Sequence, residues 1–398
     1  MRFFRLIIFL ILVLSGFSSF SQNGTISGVV INGDSKKPLP RASVFLSNSA
    51  AGTATADDGS FTLYNVRPGQ YTLVVSILGF EEYDKTLLVG REPIKLKIEL
   101  NQKPLMLREV VISSSDDWKK NYEAFKKEFI GTDDNAKYCT VMNPHILNIT
   151  FNPTKQILHA DADEFLVVEN KALGYRVKFL VNDFKIDKIS GIISRQGQQV
   201  FEELPGSESQ KKKWHEKREE AYYGSAMHFF RSLYTNKLAQ EGFTMYHLSR
   251  WLNPDRPKEE VIRQRIQMYK TQRRIDSANF WIGLANLSKY YHESLTKPPL
   301  DMYEVLTTTE QAGIYALHFQ NYLYIVYSRK TDDVYNKDIY RPLDMPNYAV
   351  SVLTLANGTF CRFDMNGVIV DNAPLFEGTW ARDRLSDMLP VDYVPDQK

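Results

Sequence analysis

Ile94-Lys95-Leu96-Lys97-Ile98-Glu99-Leu100 alternates apolar and charged residues without a break. Successive side chains of a strand point to opposite faces, so this stretch has one apolar and one charged face and reads as a half-buried strand. The pattern repeats upstream. Tyr71 to Ile77 places Tyr71, Leu73, Val75 and Ile77 on one face, and Phe61-Thr62-Leu63 alternates as well. Thr25 to Ile31 is a β-branched run closed by Asn32-Gly33-Asp34, Ala42 to Leu46 is a second run, and Thr53 to Ala56 leads into Asp57-Asp58-Gly59. Asp and Gly supply turn geometry, and Pro68-Gly69 supplies another turn. Short strands at regular spacing with turn signals between them predict a β-sandwich.

Upstream of the sandwich the chain carries a basic start, Met1-Arg2-Phe3-Phe4-Arg5, an apolar run from Leu6 to Leu14, and Ser19-Phe20-Ser21 before Gln22. This is the three-part plan of a secretory signal peptide over residues 1–21. Its apolar run is short of the about 20 residues that a spanning helix needs. No Cys stands at the cleavage position. The expectation is an exported protein, periplasmic or associated with the outer membrane, and attached to a membrane peripherally at most.

The 398 residues suggest more than one domain, and 43% hydrophobic with 24% charged residues is ordinary for a folded chain. A net charge of +2 gives no sign of a nucleic-acid partner. The aromatic content of 13% suits strands. The two cysteines, Cys139 and Cys361, leave two readings open: a disulfide in an oxidising compartment, or two separately buried thiols.

The spaced positions Gly28, Leu39-Pro40-x-Ala42-x-Val44, Gly52-Thr53, Gly59-x-Phe61, Pro68-Gly69-x-Tyr71 and Ser76-x-x-Gly79-Phe80 resemble the carboxypeptidase-regulatory-like domain. The resemblance implies a seven-stranded, transthyretin-like sandwich over residues 22–100. One departure is Ala56, where that family often carries Asp. Residues 101–117 read as a linker, and Leu107-Arg108-Glu109-Val110-Val111 is similar to a strand that follows this domain in exported Bacteroidota proteins, including TonB-dependent receptors. Ser113-Ser114-Ser115 reads as a joint.

Residues 118–398 predict an α+β domain with antiparallel strands. Asp116 or Asp117 would cap a helix carrying Trp118, Tyr122, Phe125 and Phe129 on one stripe, stopped at Gly131. Strands are expected at 146–151, 156–169, 175–184, 188–195, 314–319, 322–328, 350–355 and 367–370. Helices are expected at 209–223, 226–238, 259–274 and 380–388. Asn143-Pro144, Val168-Glu169-Asn170-x-Ala172-Leu173-Gly174-Tyr175, Tyr223-Gly224-Ser225-x-x-His228-Phe229-Phe230-Arg231 and Asp387-Met388-Leu389-Pro390-x-Asp392-Tyr393 resemble a region shared by Bacteroidota proteins that also carry the sandwich. That resemblance brings no activity with it.

The chemistry in the sequence is sparse. Zinc carboxypeptidases need a His-x-x-Glu pair to bring ligands together. The residues three after His145, His159, His215, His228, His247, His292 and His318 are Asn, Ala, Arg, Arg, Arg, Leu and Asn. No nucleophile elbow and no phosphate-binding loop is present. Two weak constellations remain. His159, Asp161 and Asp163 alternate along an expected strand, either a solvated polar face or a cation site. Ser225, His228 and Arg231 are spaced for one helix face, either a helix surface or an anion or partner patch. Tyr290, Tyr291, Tyr322, Tyr324 and Tyr327 could be core or a sugar platform, and Asp276-Ser277-Ala278 resembles an O-glycosylation signal of Bacteroidota envelope proteins.

The reading is a non-catalytic envelope protein without a cofactor, its sandwich an accessory, docking or carbohydrate-binding-like module, its partner an envelope protein or a glycan. The alternatives are an envelope hydrolase and an accessory component of a TonB-dependent uptake system.

Overall fold

A computed structural model of the chain describes residues 23–103, 115–153, 155–189, 191–311, 313–332, 339–355 and 360–396. The expected signal peptide and the expected strand at Leu107 to Ile112 lie outside these residues.

The N-terminal strands form two facing sheets. In one, β1 (Gly24–Asn32) runs antiparallel to β4 (Ser60–Val66) and parallel to β7 (Ile94–Leu100). In the other, β2 (Ser43–Leu46) lies between β3 (Gly52–Ala54) and β5 (Gly69–Ser76), and β6 (Tyr83–Val89) completes the edge. The apolar faces expected of the strands meet here: Tyr71, Leu73 and Val75 of β5 pack with Ile26, Val30 and Ile98. The sandwich therefore has seven strands, as expected. β6 went unread because only Leu87 and Val89 along it are buried.

The second sheet of the sandwich is buried on its outer face too. Phe45 and Val74 join Leu180 and Val200 of the next lobe in a separate apolar cluster, and the Phe45 ring meets Phe165 edge-on at 5.6 Å. Leu73-Val74-Val75 is a continuous apolar run, the pattern of a strand covered on both sides.

The next lobe is built on β12 (Tyr175–Asp187), a strand of 13 residues. On one edge it pairs first with β11 (Phe165–Asn170) and then with β10 (Ile157–Asp161). The strand expected over 156–169 is thus two strands, broken at Ala162–Glu164. β8 (Cys139–Val141) and β9 (Asn148–Asn152) flank β11 and β10. The other edge of β12 pairs with β13 (Ile193–Glu203), so the strand expected over 188–195 is mostly the turn before β13. Helix α1 (Ser115–Ile130) covers this sheet. It begins before both aspartates expected to cap it and ends before Gly131, whose φ is +113°. Phe125 and Phe129 are fully buried and meet Phe184 edge-on at 4.9 and 5.7 Å, contacts worth about 1 kcal/mol each beyond area burial.

Helix α2 (Glu208–Tyr222) leads to α3 (Ala226–Tyr234) and the short α4 (Leu238–Glu241). The third lobe places α3 against two sheets. One has the order β15 (Tyr290–Leu295), β14 (Phe243–Leu252), β18 (Tyr322–Thr331), β19 (Tyr348–Thr354), β22 (Leu375–Gly378). The other has the order β16 (Leu306–Thr308), β17 (Ile314–Leu317), β20 (Cys361–Asp364), β21 (Ile369–Asp371). Phe229 and Phe230 of α3 are fully buried between them. Helices α5 (Glu259–Thr271) and α6 (Ile275–Asn286) form a hairpin between β14 and β15. The helix expected at 380–388 is instead two 3-10 turns, Trp380–Arg382 and Leu385–Asp387. Trp380 is anchored in the third lobe and Leu385 in the second, which no single helix would allow.

The cysteines belong to different cores, Cys139 in the second lobe and Cys361 in the third, and both are free thiols. Burial pushes each thiol up to about 12, so both are protonated and inert at neutral pH. The disulfide reading is corrected: each cysteine packs as a small apolar side chain.

One side chain ties the three lobes together. Arg231 of α3 donates through Nε to the Asn366 carbonyl at 2.8 Å, through Nη2 to the Val391 carbonyl at 2.7 Å, and through Nη1 to the Tyr393 carbonyl at 2.8 Å. Val391 sits in the core of the sandwich, and its N–H donates to the Asn48 carbonyl at 2.7 Å. The next residue, Asp392, accepts from the Ala50 N–H through its carboxylate at 3.0 Å. Tyr393 packs in the second lobe, and Asn366 lies in the third, beside the sandwich turn at Gly69. Gly69 has φ +155°, and a Cβ there would strike the Asn366 amide. Replacing Arg231 by Met keeps the stem and strands three half-buried carbonyls. Chemical unfolding should show a loss of about 3 kcal/mol, with faster proteolysis after residue 389. Arg231→Lys should recover only part, because a point charge cannot serve three diverging acceptors.

Candidate functional site

The three residues expected on one face of α3 are brought together, each with a structural partner. The Ser225 hydroxyl caps the helix, accepting from the His228 N–H at 3.2 Å. Arg231 is the carbonyl clamp described above. His228 is buried, its Nδ1 accepting from the Gly224 N–H at 3.1 Å, which leaves Nε2 to donate to Glu241 at 3.2 Å. Burial outweighs the Glu241 carboxylate and pushes the His228 pKa down to about 4. Gly224 makes this turn with φ +87°, and a Cβ there would lie 2.6 Å from the Tyr327 ring.

Of the expected cation face, His159 and Asp161 remain neighbours, 3.8 Å apart, while Asp163 is drawn away. His159 Nε2 bonds Asp183 at 2.8 Å, and Asp161 accepts from Asn148 at 3.2 Å. Asp163 lies beyond the end of β10 and pairs with Lys103 at 2.6 Å. Lys185 first, then His159, holds the Asp183 carboxyl below its usual range. Among the described residues, no group of three His, Cys, Asp or Glu side chains is placed to hold a metal ion. The tyrosines divide as well: Tyr290, Tyr324 and Tyr327 are buried, while Tyr291 is exposed.

A cleft lies elsewhere, between the second and third lobes. Two adjoining recesses, of about 300 and 510 Å³, share Trp380 and Asp383. The first is lined by Asp133, Asp387, Lys217, Tyr223 and Lys330, the second by Glu128, Arg195, Lys289, Phe376 and Arg384. Trp380 forms part of the wall and donates its indole N–H to the Gly224 carbonyl at 2.7 Å. The turn around His228 therefore also sets one wall of the cleft.

Two charged groups in this cleft stand apart from the rest. Asp133 accepts from Ser386 at 2.6 Å and Asp387 from Asn135 at 2.7 Å, but no described donor binds the Asp383 carboxylate. Asp383 is exposed on the cleft wall, with the protein crowded around it. That crowding strips part of its hydration and, with the charge of Asp387, pushes its pKa up to about 7 although the side chain is exposed. Asp383 therefore keeps its proton to higher pH than an ordinary carboxyl. Arg195 stacks over Phe179 and Phe129 at 5.6 and 5.9 Å and touches the Met388 sulfur at 3.2 Å. No described carboxylate pairs with it. Arg195 is exposed, and the crowding of protein around it, then the neighbouring Arg384, push it down to about 10, so it stays charged at neutral pH. Sequence reasoning missed both residues, because they lie 188 positions apart and belong to no motif.

Residues 26–112 match the CarboxypepD_reg-like domain. No curated protein matches the chain. Among solved structures, a cohesin–X-dockerin complex from Acetivibrio cellulolyticus is 17% identical, with 20% of this chain and 57% of that one covered and a TM-score of 0.18. The pilus 2b backbone protein of group B streptococcus is 19% identical, with 21% and 42% covered and a TM-score of 0.19. This chain spans about half the length of these two. A structure from Bacteroides fragilis, described as a membrane-associated protein of unknown function, is 9% identical, with 85% and 92% covered and a TM-score of 0.17. The CarboxypepD_reg-like domain does not reach the cleft. It packs further along β13, the strand that carries Arg195, where Asn48 N–H donates to the Gln199 carbonyl and Phe201 N–H to the Ser49 carbonyl of the domain.

The buried His228 has a signed consequence for stability. Its folded pKa lies below the unfolded value, so the unfolded chain binds the extra proton as pH falls from 6.5 towards 4. Stability is therefore lost across that window on acidification. Unfolding midpoints measured through the window should fall less steeply for His228→Gln than for the parent.

Proposed function

We propose that the protein is a non-catalytic binding protein of the bacterial cell envelope, and that the cleft between its second and third lobes takes an anionic, hydroxyl-rich ligand such as an acidic glycan. The supporting observation is the pairing, in one cleft, of a guanidinium without a carboxylate partner and a carboxyl group without a hydrogen-bond donor. A guanidinium set beside aromatic rings, with no carboxylate partner, has its donors free for a carboxylate or phosphate. A carboxyl group at the same site donates to a hydroxyl when protonated and accepts from one when ionised.

Envelope location is supported by the leader-like residues 1–21 and by the CarboxypepD_reg-like match. In this reading the CarboxypepD_reg-like domain is an accessory brace: it fixes the second lobe and the C-terminal segment, and the lobes hold the cleft. Among the described residues no helix is long and apolar enough to cross a membrane.

One observation favours a second reading, an envelope hydrolase. Asp383 and Asp387 are neighbouring carboxyl groups, and a carboxyl that keeps its proton near neutral pH suits a general acid.

Calorimetric titration with uronic-acid oligosaccharides and their neutral counterparts separates these readings. The binding account expects affinity for the acidic series alone, weakened about tenfold or more in Arg195→Met, the loss of a charged hydrogen bond. Ionising Asp383 adds a negative charge, so affinity should decline as pH rises through about 7, and Asp383→Asn should flatten that decline. Equal affinity for neutral ligands, or an unaffected Arg195→Met, would sink it. Release of shorter sugars, abolished in Asp383→Asn, would establish the hydrolase instead.

A further inference from the structure

The α5–α6 hairpin is unlike the rest of the surface. Residues 255–289 contain eight lysines and arginines against four acids, an excess larger than the +2 of the whole chain. Arg256 and Arg263 are satisfied by Glu259, at 2.6 and 2.7 Å. The others are not paired in this way: Arg265, Lys270, Arg273 and Arg274 are exposed, and no described carboxylate lies within ion-pair distance of any of them. Arg265 and Arg274 lie instead over the rings of Trp281 and Tyr269, at 5.9 and 5.2 Å.

Helix α6 follows this basic segment directly. Its 12 residues carry a single charge, Asp276. Ile275 and Phe280 are largely exposed, at 70% and 64%, while Trp281, Ile282 and Leu284 are half-buried. Phe280 and Leu287 are seven residues apart, so they share one stripe of the helix direction, and Leu287 is exposed too. At the foot of the hairpin, Trp251 and Leu252 of β14 and Tyr291 of β15 are exposed as well. Asn253 closes the foot of the hairpin on the Ser288 and Lys289 backbone, and Arg263 reaches the body at the Lys188 carbonyl.

From this composition we infer that the α5–α6 hairpin docks the protein onto an anionic phospholipid surface. Exposed Ile and Phe on a helix bounded by cations is the arrangement of a peripheral, interfacial helix: apolar side chains enter the headgroup boundary and cations meet the lipid phosphates. Four cations without acidic partners lose no ion pair when lipid headgroups replace water around them. Phe280 and the four exposed cations line neither recess of the inter-lobe cleft, so this inference does not depend on the ligand proposed there.

The test is sedimentation of the purified protein with phosphatidylcholine vesicles, and with vesicles in which about a third of the lipid is phosphatidylglycerol. The bound fraction should rise about tenfold on the anionic vesicles and fall again at high salt. Phe280→Glu and the double variant Arg273→Glu, Arg274→Glu should each abolish that rise, with unchanged circular dichroism. Both retain residues 1–21, so their loss of binding excludes the leader as the anchor. Equal binding to neutral vesicles, or unchanged binding by Phe280→Glu, would overturn the inference. So would a dimer in sedimentation equilibrium that Phe280→Glu dissociates, which would assign the surface to a second copy.

Discussion

Three backbone carbonyls from separate parts of the chain converge on one guanidinium, and the arrangement of the lobes depends on it. Asn366, Val391 and Tyr393 belong to no common sheet, so their carbonyls have no ladder to satisfy them. Arg231 supplies three donors in a planar fork, which suits acceptors that diverge. Its position on α3 puts it where the sandwich, the second lobe and the third lobe meet. The C-terminal segment gains its place from the same contacts: Val391 fills the sandwich core while Tyr393 packs beside Tyr222 at 5.9 Å. The last residues thus act as a strap across lobes that the chain visits far apart in sequence.

The cleft follows from that assembly. Its walls come from the turn after α1, the end of α2, the end of β18 and the segment 379–387. That segment crosses from the third lobe to the second, with Trp380 fixed in one core and Leu385 in the other. Asp383 lies between the two anchors. It is held at the seam by them and not by a hydrogen bond to its carboxylate. A carboxyl in such a place is destabilised as an anion, and this is tolerated where the group meets a ligand. Arg250, by contrast, is a buried charge paired with Glu293 and Glu377 at 2.9 Å.

Much of the sandwich was legible because its strands alternate cleanly and its turns carry Asp, Gly and Pro. Tyr71, Leu73 and Val75 face the core as their spacing dictates. What the alternation hid was Val74, whose face is apolar because a second lobe covers it. The α1 stripe was legible for the same reason, since Phe125 and Phe129 recur at helical spacing. Residues 380–388 misled because local pattern favours a helix while two cores pull its ends apart. Ser225, His228 and Arg231 were correctly read as neighbours, yet spacing along a helix cannot tell a binding face from a structural one; that depends on Glu241 and on carbonyls up to 162 residues away. Arg195 and Asp383 were illegible because only the packing of the lobes makes them neighbours of one cleft.

The central claim is that the three lobes form one rigid unit through the Arg231 clamp and the C-terminal strap. The most direct measurement is the distance distribution between spin labels at Lys95, on the sandwich, and Lys212, on α2, both exposed positions. The buried thiols of Cys139 and Cys361 should resist labelling. The account predicts a single narrow distribution that broadens in Arg231→Met. A distribution that is already broad in the parent protein, and unchanged by that substitution, would contradict it.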